Sequence, residues 1–355
     1  MSSTDPNLLA ELGWNPSFAA ALESLNDPTL APARIAVDYG HRYLVETVNG
    51  SVEAQVASHL HVRARLAVGD WVATRPRMDS TQIEALLPRR TVISRKVADR
   101  SIDEQVLAAN VDVVFLATAL GSDFNLRRIE RLLTVAYQSG GSPVILLTKS
   151  DLENALTYEA QLDAVAPGVP ILSVSGLLGE GIDAVRELLP PGRTGVIIGS
   201  SGVGKSTLIN RLIGDEVLRT SAVHASGQGR HTTSHRELIR IPQAGLIIDT
   251  PGLREIQLWA GEEALGQAFS DIEELALVCR FNDCQHQKEP GCAVLLAISD
   301  GTLDQRRYDS YRKLQRELRS IEVRADARLR LEERRKRRVI NRAATERMNA
   351  KRRLG

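Results

Sequence analysis

The sequence is short of cysteine, methionine and aromatic rings. It has three Cys, three Met and three Trp, and Phe, Trp and Tyr together make up only 4% of it. With so few rings, its cores must be built from Leu, Val, Ile and Ala. No apolar run approaches the ~18 residues that span a bilayer, and no basic-then-apolar leader opens the chain. Both absences point to a cytoplasmic protein without membrane contact. An excess of one charge sign is also missing, with a net charge of +1, but the balance is uneven. From Arg330 onward there are eleven Lys and Arg against three acids, so the positive charge is gathered in one tail and the remainder is mildly acidic. All three Cys lie between Cys279 and Cys292. An odd, clustered set of Cys in such a chain suggests a metal rather than disulfides.

The 355 residues are 43% hydrophobic and 25% charged, which fits an ordinary soluble protein of two or three domains. Residues 1–33 read as a short polar, helix-prone lead. Residues 34–90 carry five short alternating runs (Arg34–Tyr39, Tyr43–Val48, Val52–Val56, Trp71–Arg75, Gln82–Leu86) separated by turn signals such as Asn49-Gly50 and Gly69-Asp70. Five strands in so short a stretch predict an OB-type β-barrel. Its His41, Tyr43, His59, His61 and Trp71 are either a face for RNA or ordinary strand residues. Residues 91–260 change to buried strands alternating with helices, as in a doubly wound α/β sheet whose ligand loops lie at the carboxyl ends of the strands. Residues 261–320 read as helical except around the Cys cluster, and 321–355 as a basic helix or tail.

Gly199-Ser200-Ser201-Gly202-Val203-Gly204-Lys205-Ser206-Thr207 follows an apolar strand and precedes a helix, the context a phosphate loop requires. Its glycines let backbone N–H groups face phosphate oxygens, and the helix N-terminus adds a favourable dipole. Lys205 is placed to reach the β- and γ-phosphates and Ser206 to bind Mg²⁺. The base is addressed by Thr148-Lys149-Ser150-Asp151, after the buried strand Val144–Leu147. A carboxylate there accepts from both N1–H and the 2-amino group of guanine; adenine offers no such donor pair. Ser175 and Gly176 end the next strand, where a backbone N–H can meet the guanine O6. Asp249-Thr250-Pro251-Gly252 ends a further strand, with Asp249 suited to hold Mg²⁺ through water and the Gly252 N–H to face the γ-phosphate. In the usual order the phosphate loop comes first and the base motifs last. Here the base motifs come first, which implies a circular permutation. An ATP-using P-loop protein is disfavoured by Asp151. A nucleotide-gated RNA-binding module that hydrolyses slowly shares the same residues and stays open as a reading.

Cys279-x4-Cys284-x-His286-x5-Cys292 offers three thiolates and one imidazole, the set of a closed, structural zinc site. The dense run Arg334–Arg338 suits RNA backbone, the alternative being a solvated helix in which Glu332 and Glu333 pair with the basic residues after them.

The permuted order, Gly229-Arg230-His231-Thr232-Thr233, Asp249–Gly252, Pro88-Arg89-Arg90 leading to Ser94-Arg95, and the Cys/His cluster together resemble the ribosome small-subunit-dependent GTPase A (RsgA) family over roughly residues 35–320. The chain departs from the family pattern at Ser234, where a third Thr is common, and at Ser175-Gly176, where Ser-Ala is usual. The resemblance implies an N-terminal OB-type β-barrel, a central circularly permuted P-loop GTPase of α/β class and a C-terminal zinc-binding helical domain. It further implies a partner of the small ribosomal subunit and its rRNA, acting late in subunit maturation with GTP and Mg²⁺; a monomer is expected. Leu253 follows Gly252 where many GTPases carry a water-orienting Gln, so His231 becomes the candidate catalytic residue beside Lys205. Thr232 or Thr233 would complete the Mg²⁺ shell with Ser206 and Asp249; spacing does not choose between them.

Overall fold

The computed structural model describes residues 6–40, 42–58, 60, 66–77, 80–98, 102–214, 236–249 and 261–325. Two short helices open it, α1 (Pro6–Glu11) and α2 (Pro16–Glu23). The second starts cleanly because the Asn15 side chain accepts from the backbone N–H groups of Ser17 and Phe18, and Pro16 occupies its first turn.

Five strands follow: β1 (Ala31–Asp38), β2 (Tyr43–Thr47), β3 (Gly50–Val56), β4 (Trp71–Pro76) and β5 (Thr81–Leu86). They pair in the order β1-β2-β3-β5-β4, and β4 returns to β1, closing a barrel. Only β3 and β5 run parallel, the Greek-key arrangement expected of the OB type. The barrel interior is filled by Ala33, Ile35, Tyr43, Val45, Ala54, Leu66, Val72 and Ile83.

Two of the aromatic residues offered above as an RNA face are therefore core residues. Tyr43 is 9% exposed and lines the interior. Trp71 is 1% exposed and stands edge-on to Trp14 at 4.8 Å, with Phe18 at 5.7 Å. Alternation in a strand separates two faces without saying which one is buried. The same contacts show that the lead is not simply polar: Leu12 and Phe18 are buried, and its few rings are collected under the barrel. His41, His59 and His61 lie outside the described residues.

A hairpin, β6 (Val92–Ala98) and β7 (Ile102–Ala109), links barrel to sheet. The junction is built on three buried polar groups. Arg34 donates to the carbonyls of Leu12, Gly69 and Asn110, and its guanidinium lies over Trp71. Arg89 donates from Nε and Nη2 to the two carboxylate oxygens of the fully buried Asp70, each at 2.7 Å. Gly69 sits at φ +91°, where a Cβ would stand 2.2 Å from the Ala109 carbonyl oxygen. Pro88-Arg89-Arg90 is thus the clip between the two units, with the Arg90 N–H bonded to the Asn110 side chain.

The remaining strands are β8 (Val113–Ala119), β9 (Ser142–Thr148), β10 (Ile171–Val174), β11 (Thr194–Gly199), β12 (Glu237–Arg240) and β13 (Leu246–Asp249). They form one sheet in the order β10-β9-β8-β11-β13-β12, parallel except for β12. The strands are apolar almost throughout because helices cover both faces. Helix α3 (Leu126–Ser139) lies on one face, with α4 (Leu156–Asp163) contributing Leu162 to the same core; α5 (Ile182–Glu187) and α6 (Lys205–Ile213) cover the other face. β12 pairs with barrel strand β1 at Val37 and Glu237.

After Gly261 the chain is helical: α7 (Glu262–Ala268), α8 (Ser270–Leu277), α9 (Ala293–Ser299) and α10 (Gln305–Ala325). Arg307 ties this region to the sheet domain. Its guanidinium bonds Glu130 of α3 at 3.0 Å, both oxygens of Asp271 at 2.6 and 2.7 Å, and the carbonyls of Val165 and Ala268. It also lies 4.7 Å from the Phe269 ring centroid. Arg131 adds a half-exposed pair with Glu317.

Candidate functional site

The strand order explains how a permuted chain assembles one site. The strand before the phosphate loop, β11, occupies the middle of the sheet. Of the strands in this sheet, β8, β9 and β10, which precede it in the chain, lie on one side, and β13 and β12, which follow it, lie on the other. All the motif loops leave the carboxyl ends of parallel strands and so meet at one edge.

At the end of β11 the backbone turns sharply. Gly199 has φ +155°, and a Cβ there would stand 2.4 Å from the Ala117 carbonyl oxygen of β8. Gly202 and Gly204 take φ +79° and +99°, so the loop curls round before α6 begins at Lys205. The Lys205 ammonium folds back over the loop and donates to the carbonyls of Gly199 and Ser200 at 2.8 and 2.5 Å. Ser201, Ser206 and Thr207 are exposed at the loop's open side, while Val203 is buried beneath it.

The base motif is bolted to this loop. The Thr148 hydroxyl, buried at the end of β9, donates to the Val203 carbonyl at 2.6 Å. A turn follows in which Lys149 takes φ +59°, unusual for a side chain of its length. Asp151 is exposed, and the buried Ser175 hydroxyl donates to its Oδ1 at 2.6 Å. Ser175 in turn closes its own loop, accepting from the Leu178 and Gly179 N–H groups. Gly176 faces α6, where a Cβ would meet Thr207 and Leu208 at 3.2–3.4 Å, and the smaller residue relieves that approach. Asp249 ends β13 directly across from Glu237. Burial, and then the facing Asp249 carboxylate, raise the Glu237 carboxyl above its ordinary range.

The structure thus brings Thr148, Lys149, Ser150, Asp151, Ser175, Gly176, the whole loop Gly199–Thr207 and Asp249 to one edge of the sheet. His231, Thr232, Thr233 and Gly252 lie outside the described residues. Two residues at this edge escaped the sequence reading, Asp123 and Arg128. Asp123, in the β8–α3 connection, and Arg128, in the first turn of α3, grip Ser200, with Ser200 donating to Asp123 at 2.8 Å and Arg128 donating to Ser200 at 3.1 Å.

Farther along, Cys279, Cys284, His286 and Cys292 place their ligand atoms within 4.8 Å of one another. The Cys279 and Cys292 sulfurs are 3.8 Å apart, and His286 Nδ1 stands 3.6 and 3.4 Å from them. A tetrahedron with metal–sulfur bonds of ~2.3 Å and a metal–nitrogen bond of ~2.0 Å has edges of this length. His286 takes φ +53°, and its carbonyl accepts from the Tyr308 hydroxyl at 2.7 Å, so the ligand turn is anchored to α10. The four residues therefore fit a four-coordinate metal with no position left for substrate.

Parallel sheet, phosphate loop and guanine-type base motif in this order define a circularly permuted P-loop GTPase, an enzyme that hydrolyses GTP. The family model described as RsgA GTPase matches residues 86–259, and one described as 50S ribosome-binding GTPase matches residues 194–325. A curated relative from Opitutus terrae is 47% identical over 327 residues, covering 87% of this chain and 89% of the relative. Another, from Streptomyces coelicolor, is 42% identical and covers 97% of each chain. Both relatives carry the name small ribosomal subunit biogenesis GTPase RsgA. The chain belongs to the RsgA GTPase family. Its fold resembles the crystal structure of YjeQ from Thermotoga maritima, with a TM-score of 0.63 and 26% identity over 81% of this chain and 98% of that one. It also resembles YloQ, a circularly permuted GTPase, with a TM-score of 0.60 and 25% identity over 82% of this chain and 96% of that one.

Proposed function

We propose that this chain binds the small ribosomal subunit and its rRNA and hydrolyses GTP there during late subunit maturation, working as a cytoplasmic monomer. The observation that carries the reading is the coupling of base motif to phosphate loop through Thr148 and Val203, in a chain this similar to curated small-subunit biogenesis GTPases. Asp151 reads the guanine edge, held in place by Ser175, with the stem of Lys149 against the base plane. The backbone of Gly199–Thr207 cradles the phosphates, Lys205 exchanges its loop carbonyls for phosphate oxygens, and Ser206 and Asp249 hold Mg²⁺ together with Thr232 or Thr233. With Leu253 at the usual Gln position, His231 orients the attacking water in the complex with the docked partner. Residues 34–90, 91–260 and 261–320 act as barrel, GTPase and metal-binding units.

Zinc is the metal we assign to Cys279, Cys284, His286 and Cys292, in a structural role. It would order a short turn that has little core of its own. Elemental analysis is expected to find one zinc per chain, and Cys284→Ala to lose it and loosen the helices after Gly261. A wild-type protein that is fully folded and free of metal would contradict the assignment.

Docking is tested by sedimenting the protein with isolated small subunits across a salt series. Co-sedimentation is expected to weaken as salt rises, because phosphate contacts release counterions. Removing residues 330–355 should reduce binding and flatten that dependence. An unchanged slope would make the tail a solvated helix with no RNA contact, and no co-sedimentation at any salt would refute docking itself.

A further inference from the structure

We propose that Asp123 and Arg128 are positioning residues for the phosphate loop, acting by holding Ser200. The proposal rests on the assignment of Gly199–Thr207 as the phosphate site and adds to it two groups from a different part of the chain.

Ser200 is the loop's second residue, and both ends of it are engaged. Its carbonyl accepts from the Lys205 ammonium at 2.5 Å, while its hydroxyl donates to Asp123 Oδ2 at 2.8 Å. The same hydroxyl oxygen accepts from Arg128 Nη1 at 3.1 Å. Arg128 also donates to Asp123 Oδ1 at 2.8 Å and to the Asp123 carbonyl at 3.2 Å. Three residues thus form a closed triangle in which each bonds the other two.

The triangle is itself fixed. Asn125 caps α3 by accepting from the Arg128 N–H at 3.1 Å, which sets the backbone from which the guanidinium reaches. One turn farther on, Glu130 and Arg131 of the same helix are held by Arg307 and Glu317 of α10. The first turn of α3 is therefore a rigid post, and Ser200 is tied to it. Burial works against ionisation of Asp123, but the Arg128 guanidinium and Ser200 hydroxyl outweigh it and keep the carboxyl below its usual range. A charged, two-sided clamp on a glycine-rich loop limits where Ser200 can go. It thereby limits where Lys205 stands before it turns to phosphate. The remaining donors of Arg128 have no hydrogen-bond partner among the described residues, so the side chain is not fully used by the fold alone.

The test is nucleotide release, followed with a fluorescent GDP analogue chased by excess GDP on the full-length protein. Arg128→Ala is expected to raise the dissociation rate about tenfold, since it removes charge-assisted hydrogen bonds. Its thermal melting should stay close to wild type, because the side chain is partly exposed. Asp123→Asn, a gentler change, should raise the rate less, and Arg128→Lys should restore part of the loss. If both residues act through Ser200, combining Arg128→Ala with Ser200→Ala should release nucleotide no faster than the worse single variant. Rates that multiply in the double variant, or an Arg128→Ala rate equal to wild type, would overturn the proposal. Failure of the wild-type protein to retain GDP in the same assay would instead overturn the phosphate-site assignment on which it rests, and this inference with it.

Discussion

Asp151→Asn is expected to weaken GTP and GDP binding by on the order of a thousandfold and to create affinity for xanthine nucleotides. The carboxylate is the acceptor for two guanine donors, and each bond to a charged group contributes ~1.5–3 kcal/mol. An amide at this position turns an N–H toward those donors, so it loses the attraction and adds a clash of like dipoles. Xanthine carries an oxygen where guanine has its 2-amino group, and the amide N–H suits it. The exchange should leave the local fold intact, because the Ser175 hydroxyl that now donates to Asp151 Oδ1 can donate equally to an amide oxygen. Titration of the variant with GDP, XDP and ADP checks this. A uniform loss for all three nucleotides would mean that Asp151 supports the loop without reading the base.

Arg307→Ala should produce a large loss of stability. Glu130 is 2% exposed, and its ion pair is with this guanidinium. Removing one partner of a buried pair leaves the other charge without compensation, at ~3–5 kcal/mol. The carbonyls of Val165 and Ala268 lose a donor in the same step. A fall in melting temperature on the order of 10 °C follows for a region of this size. Arg307→Ala combined with Glu130→Leu should recover much of it, because no buried charge is then left alone. If Arg307→Ala melts within a degree or two of wild type, the network is not what joins α3 to the C-terminal helices.

The parts of the fold legible in the sequence were those set by short-range pattern. The five barrel runs were bounded by turn residues and came out as β1 to β5 within a few residues at each end. The apolar runs beginning at Val144, Val196 and Leu246 are buried on both faces, and each is a strand, as is the half-buried Ile171–Val174. The β6–β7 hairpin was not foreseen. Its strands mix charged and apolar residues, and its alternation is broken by a bulge between Ile93 and Ser94. β12 has only two apolar residues between the charged Glu237 and Arg240, and the apolar residues of α4 do not fall on one helical face, so neither stands out as a pattern.

The site divides along the same line. Glycine spacing at a phosphate loop and a carboxylate after a buried strand are local requirements, so Gly199–Thr207 and Thr148–Asp151 could be read directly. The cysteines were found because there are only three and they are adjacent. Asp123, Arg128, Arg34 and Arg307 belong to no motif. Arg128 and Ser200 are 72 positions apart, and Arg307 and Glu130 are 177 apart, so only the folded chain brings them together. Tyr43 and Trp71 show the converse limit, where residue type leaves an RNA face and an ordinary strand position both open and packing decides for the interior.

Gating of GTP turnover by the small ribosomal subunit is read out by steady-state hydrolysis with and without isolated small subunits. Slow turnover of the free protein, a large acceleration by small subunits but not by large ones, and loss of most of that acceleration in His231→Ala with GTP binding retained are the expected results. Free protein that hydrolyses GTP as fast as the subunit-bound form would contradict the account.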